Sequence, residues 1–381
     1  MRVSRRGAVD PFIVMDVMKA ARAAEDAGCH IIHMEVGQPG TSAPEGARRA
    51  AAKAMEEGSL GYTVALGLPD LRARIAQLYG EWYGVDLDPN RVIVTSGSSA
   101  AFLLAFTALF EAGDRVVIGA PGYPSYRQIL KALSLEPVLI EARDENRLQP
   151  VADDLIGLNA KGLMVASPAN PTGTMLNHAS MSALINAALE AGTSFISDEI
   201  YHGIEYEAKA VTALEITNEA YVINSFSKYF SMTGWRVGWM VVPENHVRVI
   251  ERLAQNMFIC APHISQVTAL AAMDCHDELQ ANMQVYTANR QLMIEGLPKA
   301  GLGAFAPPDG AFYTYIDVSA HTNDSRVFAA EILEKAGVAV TPGLDFDSKR
   351  GHQTLRLSYA RSTKDIKEGL ERLQTFMKAR T

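Results

Sequence analysis

Seven short apolar runs between residues 91 and 242 constrain this chain more than any other feature: Val92-Ile93-Val94, Val116-Val117-Ile118, Val138-Leu139-Ile140, Leu163-Met164-Val165, Phe195-Ile196, Tyr221-Val222-Ile223 and Trp239-Met240-Val241-Val242. None alternates apolar with polar residues, so each reads as a strand buried on both faces. Helical patterns such as Ala100 to Glu111 and Ser125 to Ala132 lie between some of them. Strands alternating with helices predict an α/β fold with a mostly parallel sheet flanked by helices on both sides. With 381 residues, 48% of them hydrophobic, the chain can bury a large core and is long enough for two domains.

The flanking segments follow other patterns. Apolar positions from Ile13 to Ala27 recur at helical spacing and Gly28 follows as a stop; Ala43 to Glu57 and Leu68 to Tyr83 read as amphipathic helices, the second opened by Pro69-Asp70. A helical stretch from Pro243 to roughly Leu297 leads to the strand-like runs Phe312 to Ile316 and Leu355 to Tyr359, which suggest a second, α+β domain. A net charge of -8 argues against a nucleic-acid partner, which needs a basic stripe that does not appear in the sequence. No run reaches transmembrane length, and Asp16 and Lys19 break the apolar start Phe12 to Met15 before a signal-type core forms. Cys29, Cys260 and Cys275 are too scattered for a disulfide framework or a zinc site, so a reducing cytoplasm and no metal are expected.

The chemistry concentrates after the sixth run. Ser225-Phe226-Ser227-Lys228 follows the strand Tyr221 to Asn224, and Arg236 stands eight residues beyond the lysine. A lysine emerging where a strand ends lies where α/β sheets hold ligands. Its amine can form an imine with an aldehyde when enough of it is unprotonated, and a nearby guanidinium offers a fork for a phosphate. Together they suit pyridoxal phosphate. A lone lysine after a strand is ordinarily a solvated surface residue; the company of Asp198, Asn170 and Arg236 reverses that reading here.

Further segments occur in a telling order: Glu35-Val36-Gly37-Gln38-Pro39, Gly61-Tyr62-Thr63, Thr95-Ser96-Gly97-Ser98-Ser99, Pro121-Gly122-Tyr123-Pro124, Asn170-Pro171-Thr172-Gly173, Ser197-Asp198-Glu199-Ile200-Tyr201 and Leu355-Arg356-Leu357-Ser358. With the lysine run, they make the chain resemble the class I/II, fold-type I, pyridoxal-phosphate aminotransferases from about residue 10 to the C-terminus. The resemblance implies a large cofactor domain over residues 41–284 and a discontinuous small domain over 1–40 and 285–381. It implies that Lys228 carries the cofactor as a Schiff base, that Asp198 faces the pyridinium nitrogen, and that Tyr201 and Asn170 bond the ring oxygen. Gly97, Ser98, Ser99, Ser225, Ser227 and Arg236 would cup the phosphate, aided by a helix N-terminus starting near Ala100. Tyr123 would stack on the ring. Tyr62 would reach the phosphate of a neighbouring subunit, which implies a homodimer with shared sites. Arg356 would grip the substrate α-carboxylate beside Gly37 and Asn170. The implied reaction moves an amino group from an L-amino acid to a 2-oxo acid in ping-pong order.

Read singly, these residues leave alternatives open. Asp198 is also a natural cap, Tyr201 and Tyr123 natural core, and Arg356 a natural strand-edge residue; Glu199 is expected to face elsewhere and His202 to be structural. A carbon–sulfur β-lyase on the same scaffold would use the same lysine. An acyl-transferring 2-amino-3-oxo-acid synthase fits Asn170 to Gly173 less well, and a cofactor-sensing regulator would need an attached basic DNA-binding module. Some relatives that favour aspartate carry a lysine in the phosphate loop, where Ser99 stands here, so small neutral or apolar amino acids are the expected substrates.

Overall fold

All seven apolar runs enter one sheet. In this computed structural model, which describes residues 1–58 and 60–380, the strands are β1 (Ile32–His33), β2 (Val92–Thr95), β3 (Arg115–Ala120), β4 (Glu136–Glu141), β5 (Gly162–Ala166), β6 (Ser194–Asp198), β7 (Tyr221–Ser225), β8 (Gly238–Val241), β9 (Tyr313–Asp317), β10 (Val338–Ala339), β11 (Thr341–Pro342) and β12 (Thr354–Ser358). The large sheet runs β2-β8-β7-β6-β5-β3-β4. Strands β3 to β7 pair in parallel, whereas β8 is antiparallel to both β2 and β7.

The apolar runs do not alternate because both faces of the sheet are covered. Val94, Val117, Leu163, Phe195, Val222 and Trp239 point into one core, while their neighbours Ile93, Val116, Met164, Ile196, Ile223 and Met240 point into the other. The helices are α1 (Ile13–Asp26), α2 (Glu45–Glu57), α3 (Pro69–Tyr83), α4 (Gly97–Leu109), α5 (Pro124–Ala132), α6 (His178–Glu190), α7 (Val247–Met257), α8 (His263–Ala272), α9 (His276–Lys299), α10 (Ser325–Ala336) and α11 (Thr363–Arg380). The second core takes Phe102 and Phe106 of α4, Leu130 of α5 and Ile250 of α7; the first takes Leu71 of α3, Leu184 of α6 and Ala269 of α8.

Several boundaries differ from the sequence expectation for local reasons. Helix α2 begins at Glu45 because Pro44 holds an extended ψ of 147°. Helix α4 begins three residues before Ala100, at Gly97, directly after β2. The stretch from Pro243 to Leu297 is three helices, Pro262 preceding α8 and Cys275 preceding α9. Beyond α9, β11, β12 and β9 form an antiparallel sheet, and β1 pairs in parallel with β10, which ties the N-terminal segment to the C-terminal third.

Candidate active site

A cavity of about 290 Å³ opens at the ends of β2, β6 and β7, where residues leave the sheet for turns. Its wall contains Gly37, Ser98, Ser99, Tyr123, Asn170, Asp198, Tyr201, Ser227, Lys228, Arg236 and Arg356, so most residues singled out from the sequence meet in one place. Gly97 and Ser225 do not line it, but Gly97 meets Arg236 and Ser225 bonds Ser227, both of which do. Tyr62 does not join them; its side chain is 82% exposed and lines a separate surface depression with Ser96 and Phe258.

Lys228 Nζ donates to the Gly37 carbonyl at 2.7 Å. Burial lowers its pKa to about 8, the Arg356 and Arg236 charges add to the effect, and Asp198 opposes it. About a tenth of this amine is therefore unprotonated at pH 7, far more than of an ordinary lysine. Asp198 closes β6 and shows the opposite trend: burial raises its pKa to about 6, against hydrogen bonds from Tyr126 and the Ile200 amide and the charge of Lys228. The Tyr126 hydroxyl donates to Asp198 Oδ2, and the Ile200 N–H to Oδ1 at 3.1 Å.

An anion cradle stands at the other end of the cavity. The Ser96 side chain does not cap α4, which leaves the first amides of that helix directed at the site. Gly97 has a φ of +75°, and a Cβ there would fall 2.4 Å from Arg236 Nη2. Gly238 on β8 makes similar room: its Cβ would sit 3.1 Å from the Ser98 nitrogen. The Ser225 hydroxyl donates to Ser227 Oγ at 2.8 Å and accepts from the Ser227 amide at 3.0 Å, which fixes the turn that carries Lys228.

Arg356 is buried, not at a strand edge. Its guanidinium lies between the rings of Tyr313 and Phe346, at 4.6 and 4.7 Å from their centroids. Nη1 donates to Asn170 Oδ1 at 3.0 Å, Nη2 donates to the Glu35 carbonyl, and Nε has no partner among the described residues. Tyr201 bonds the Tyr313 hydroxyl at 2.7 Å, and a side chain at Gly37 would collide with that same Tyr313 phenol at 1.8 Å. Glu199 faces away, accepting from Ser197, Thr212 and the Ala213 amide, and His202 is held by Tyr83 and the Ser167 carbonyl. Both are structural, as expected.

The sequence reading missed Tyr126, Tyr313, Phe346 and the N-terminal wall residues Phe12, Val14 and Met15. A signal existed for Tyr126, which stands in the first turn of α5 three residues after Tyr123, the residue that precedes that helix, and packs against its ring. None existed for Phe12, which reaches the cavity only through the docking of α1 by Asp345, whose carboxylate accepts from the Ile13 and Val14 amides at 2.9 and 3.0 Å.

Comparisons with known proteins show the family. The sequence model of the family described as aminotransferase class I and II matches residues 30–373. The chain is 43% identical to the valine–pyruvate aminotransferase of Mycobacterium tuberculosis, covering 99% of this chain and 98% of that one. It is 30% identical to an aspartate aminotransferase of Pyrococcus horikoshii, covering 95% and 93%. Among solved structures, a Silicibacter pomeroyi protein described as a provisional aminotransferase superposes with a TM-score of 0.95 at 72% identity, covering both chains completely.

Proposed function

Since the chain belongs to the class I and II aminotransferases and is itself an aminotransferase, we propose that it holds pyridoxal phosphate in this cavity and takes its amino group from L-amino acids with uncharged, apolar side chains. The family generally depends on that cofactor, and the residues present suit it. The Gly97–Gly238 cradle over Arg236 has the shape and charge for a phosphate, and the buried Asp198 carboxylate is placed for a protonated ring nitrogen. When bound, pyridoxal phosphate supplies an electron-withdrawing ring that takes up the electron pair left when an amino acid loses its α-hydrogen.

The chain's own residues do the rest. Asp198, held by Tyr126 and the Ile200 amide, keeps a negative charge facing the ring position. Tyr123 packs edge-on to Phe12 and Tyr126 at 5.9 and 5.3 Å and forms part of the wall, to which Tyr201 and Asn170 add polar side chains that would bond the ring oxygen. Lys228 Nζ, partly unprotonated, takes the proton from the amino acid's α-carbon. Arg356, preset between two rings and with buried donors, holds the carboxylate common to amino acid and 2-oxo acid, so one cavity serves both in turn.

The observation that carries the substrate assignment is the wall itself. Among the described residues lining the cavity, the cations are Lys228, Arg236 and Arg356, each already given a role, and the remainder includes Phe12, Val14, Met15, Val36 and Ile200. A second carboxylate on the substrate would find no free positive partner there, whereas an apolar side chain would find apolar surface. The relative named for valine and pyruvate supports the same class.

We extend the proposal to a homodimer in the cytoplasm. Tyr62, Val64 and Ile259 are 82%, 59% and 49% exposed; such apolar exposure favours a partner surface through which Tyr62 reaches the neighbour's phosphate cradle. Among the described residues no helix is long and apolar enough to cross a membrane, and the cysteines are unpaired, which suits a reducing compartment. The division into residues 41–284 and 1–40 with 285–381 is kept as part of this reading, the β1–β10 pairing supporting it and position 285 lying within α9.

The test is a substrate scan of the purified holoenzyme with valine, leucine, alanine, phenylalanine and aspartate against pyruvate and 2-oxoglutarate. Apolar donors should turn over fastest, and Lys228→Ala should keep cofactor through the cradle yet lose turnover. Aspartate rates far above all others would overturn the substrate class; near-normal transamination by Lys228→Ala would overturn the site.

A further inference from the structure

Three titratable side chains outside the cavity form a string toward it. Glu25, on α1, lies with Oε1 at 3.1 Å from His33 Nε2, and His33 Nδ1 lies 2.8 Å from Glu35 Oε1. Carboxylates flank both ring nitrogens, so the imidazole donates from each and is the protonated form. The Glu35 bond raises the His33 pKa, burial opposes it, and the Glu25 bond adds to the rise. Glu35 is 1% exposed, and its second carboxylate oxygen has no partner among the described residues. A buried carboxylate held by a single protonated ring is costly unless its place matters.

Its place is set by the backbone it fixes. After β1 the chain leaves the β10 ladder with the Met34 N–H on the Ala339 carbonyl, and the Ser358 N–H donates to the Met34 carbonyl at 2.7 Å. From Glu35 onward side chains supply the contacts: the Glu35 carbonyl accepts from Thr341 Oγ1 at 2.7 Å and from Arg356 Nη2, and the Gly37 carbonyl accepts from Lys228 Nζ. Two carbonyls two residues apart thus orient the two cations that meet the substrate. The Glu35 carboxylate belongs to the residue whose own carbonyl meets Arg356, so it bears on that cation first.

We propose that Glu35, clamped by His33 and through it by Glu25, is a positioning residue that sets the plane of the Arg356 guanidinium for the substrate carboxylate. The inference rests on the reading of Arg356 as the carboxylate ligand. It adds a requirement that the cavity wall alone does not reveal: substrate affinity depends on an ion string that starts on α1, the helix whose other end lines the cavity with Val14 and Met15.

The test uses holoenzyme carrying Glu35→Ala, Glu35→Gln, His33→Ala, Arg356→Lys and the Glu35→Ala/Arg356→Lys pair. The readouts are KM for amino acid and 2-oxo acid, kcat, and the Kd of 3-methylbutanoate, a carboxylate without an amino group, from its perturbation of the bound cofactor's absorption. Glu35→Ala should raise both KM values and the Kd together by roughly tenfold while kcat changes less than about twofold. Glu35→Gln, which keeps an acceptor for His33, should recover most of that loss. In the Arg356→Lys background Glu35→Ala should add little, because the two act as one unit. Should Glu35→Ala fail to fold, His33→Ala, altering a ring with 24% side-chain exposure, makes the same measurement. An unchanged 3-methylbutanoate Kd in the Glu35 or His33 variants, or full additivity in the pair, overturns the inference. An unchanged Kd in Arg356→Lys would instead overturn the carboxylate role of Arg356.

Discussion

Replacing Tyr126 by Phe removes one oxygen from the protein and isolates what Asp198 contributes. The ring contacts survive, since Tyr126 packs edge-on against Phe102 and Tyr123 at 5.1 and 5.3 Å through its carbon skeleton. What is lost is the donor to Asp198 Oδ2, leaving the carboxylate with the Ile200 amide alone. A hydrogen bond to a buried charge contributes about 1.5–3 kcal/mol, or roughly tenfold to hundredfold in an equilibrium or rate. The lower end applies at alkaline pH, where Asp198, whose pKa is about 6 in the cofactor-free protein and would be lowered further by a cationic ring beside it, is ionised in any case. Because the Tyr126 bond is one of the influences holding that pKa down, its removal moves the pKa further up. At pH 6 more of the carboxylate is then protonated. We therefore expect kcat/KM of Tyr126→Phe to be about tenfold below wild type at pH 8 and to fall further behind toward pH 6. Steady-state assays across that range, with equilibrium dialysis for cofactor affinity and a thermal midpoint as the folding control, measure it. A deficit below twofold, or one that stays flat with pH, would show that Tyr126 does not tune Asp198.

Two further outcomes follow from the same geometry. Gly97→Ala should weaken cofactor binding by more than tenfold and destabilise the fold by about 1–3 kcal/mol, because its φ of +75° strains a side chain and the new Cβ meets Arg236 Nη2; dialysis and denaturant unfolding read both. In cofactor-free protein, the raised Asp198 pKa means that the native state binds more protons than the unfolded chain between the ordinary value of 3.8 and about 6. Stability from this group is thus present below pH 4 and lost as pH rises toward 6. The stability difference between wild type and Asp198→Asn should drop across that window by up to about 3 kcal/mol, and a pH-independent difference would contradict the assignment.

The parallel strands and their order of appearance were readable because burial on both faces leaves an unbroken apolar run. The antiparallel direction of β8 was not, since a strand of Trp239, Met240 and Val241 carries the same signature whichever way it points. Site residues on turns after strands, such as Asp198 and Lys228, were legible from chain position plus chemistry. Glu35 and Phe12 were not, because each becomes functional only through a neighbour far away in sequence: Arg356 and, through the Asp345 cap, the docked α1. Tyr126 was signalled only by its spacing from Tyr123; its bond to Asp198, 72 residues on, was not readable. Arg356 shows the reverse failing. Its motif was visible, but its enclosure between Tyr313 and Phe346 depends on three segments brought together by the β9–β12 ladder and the turn after β11.

Strand β8 has one more consequence. Ser225 of β7 stands opposite Gly238 of β8, the last pair of a four-pair antiparallel ladder that the Phe226 N–H extends to the Val237 carbonyl, so the residues from 226 to 237, with Lys228 and Arg236 among them, form a loop clasped shut at its base. Its contour length is consequently inelastic. Substitutions inside the clasp can be absorbed one at a time, but inserting or deleting a single residue would pull the amine and the guanidinium out of register with each other, making the spacing itself heritable cargo that homologous designs must carry over intact.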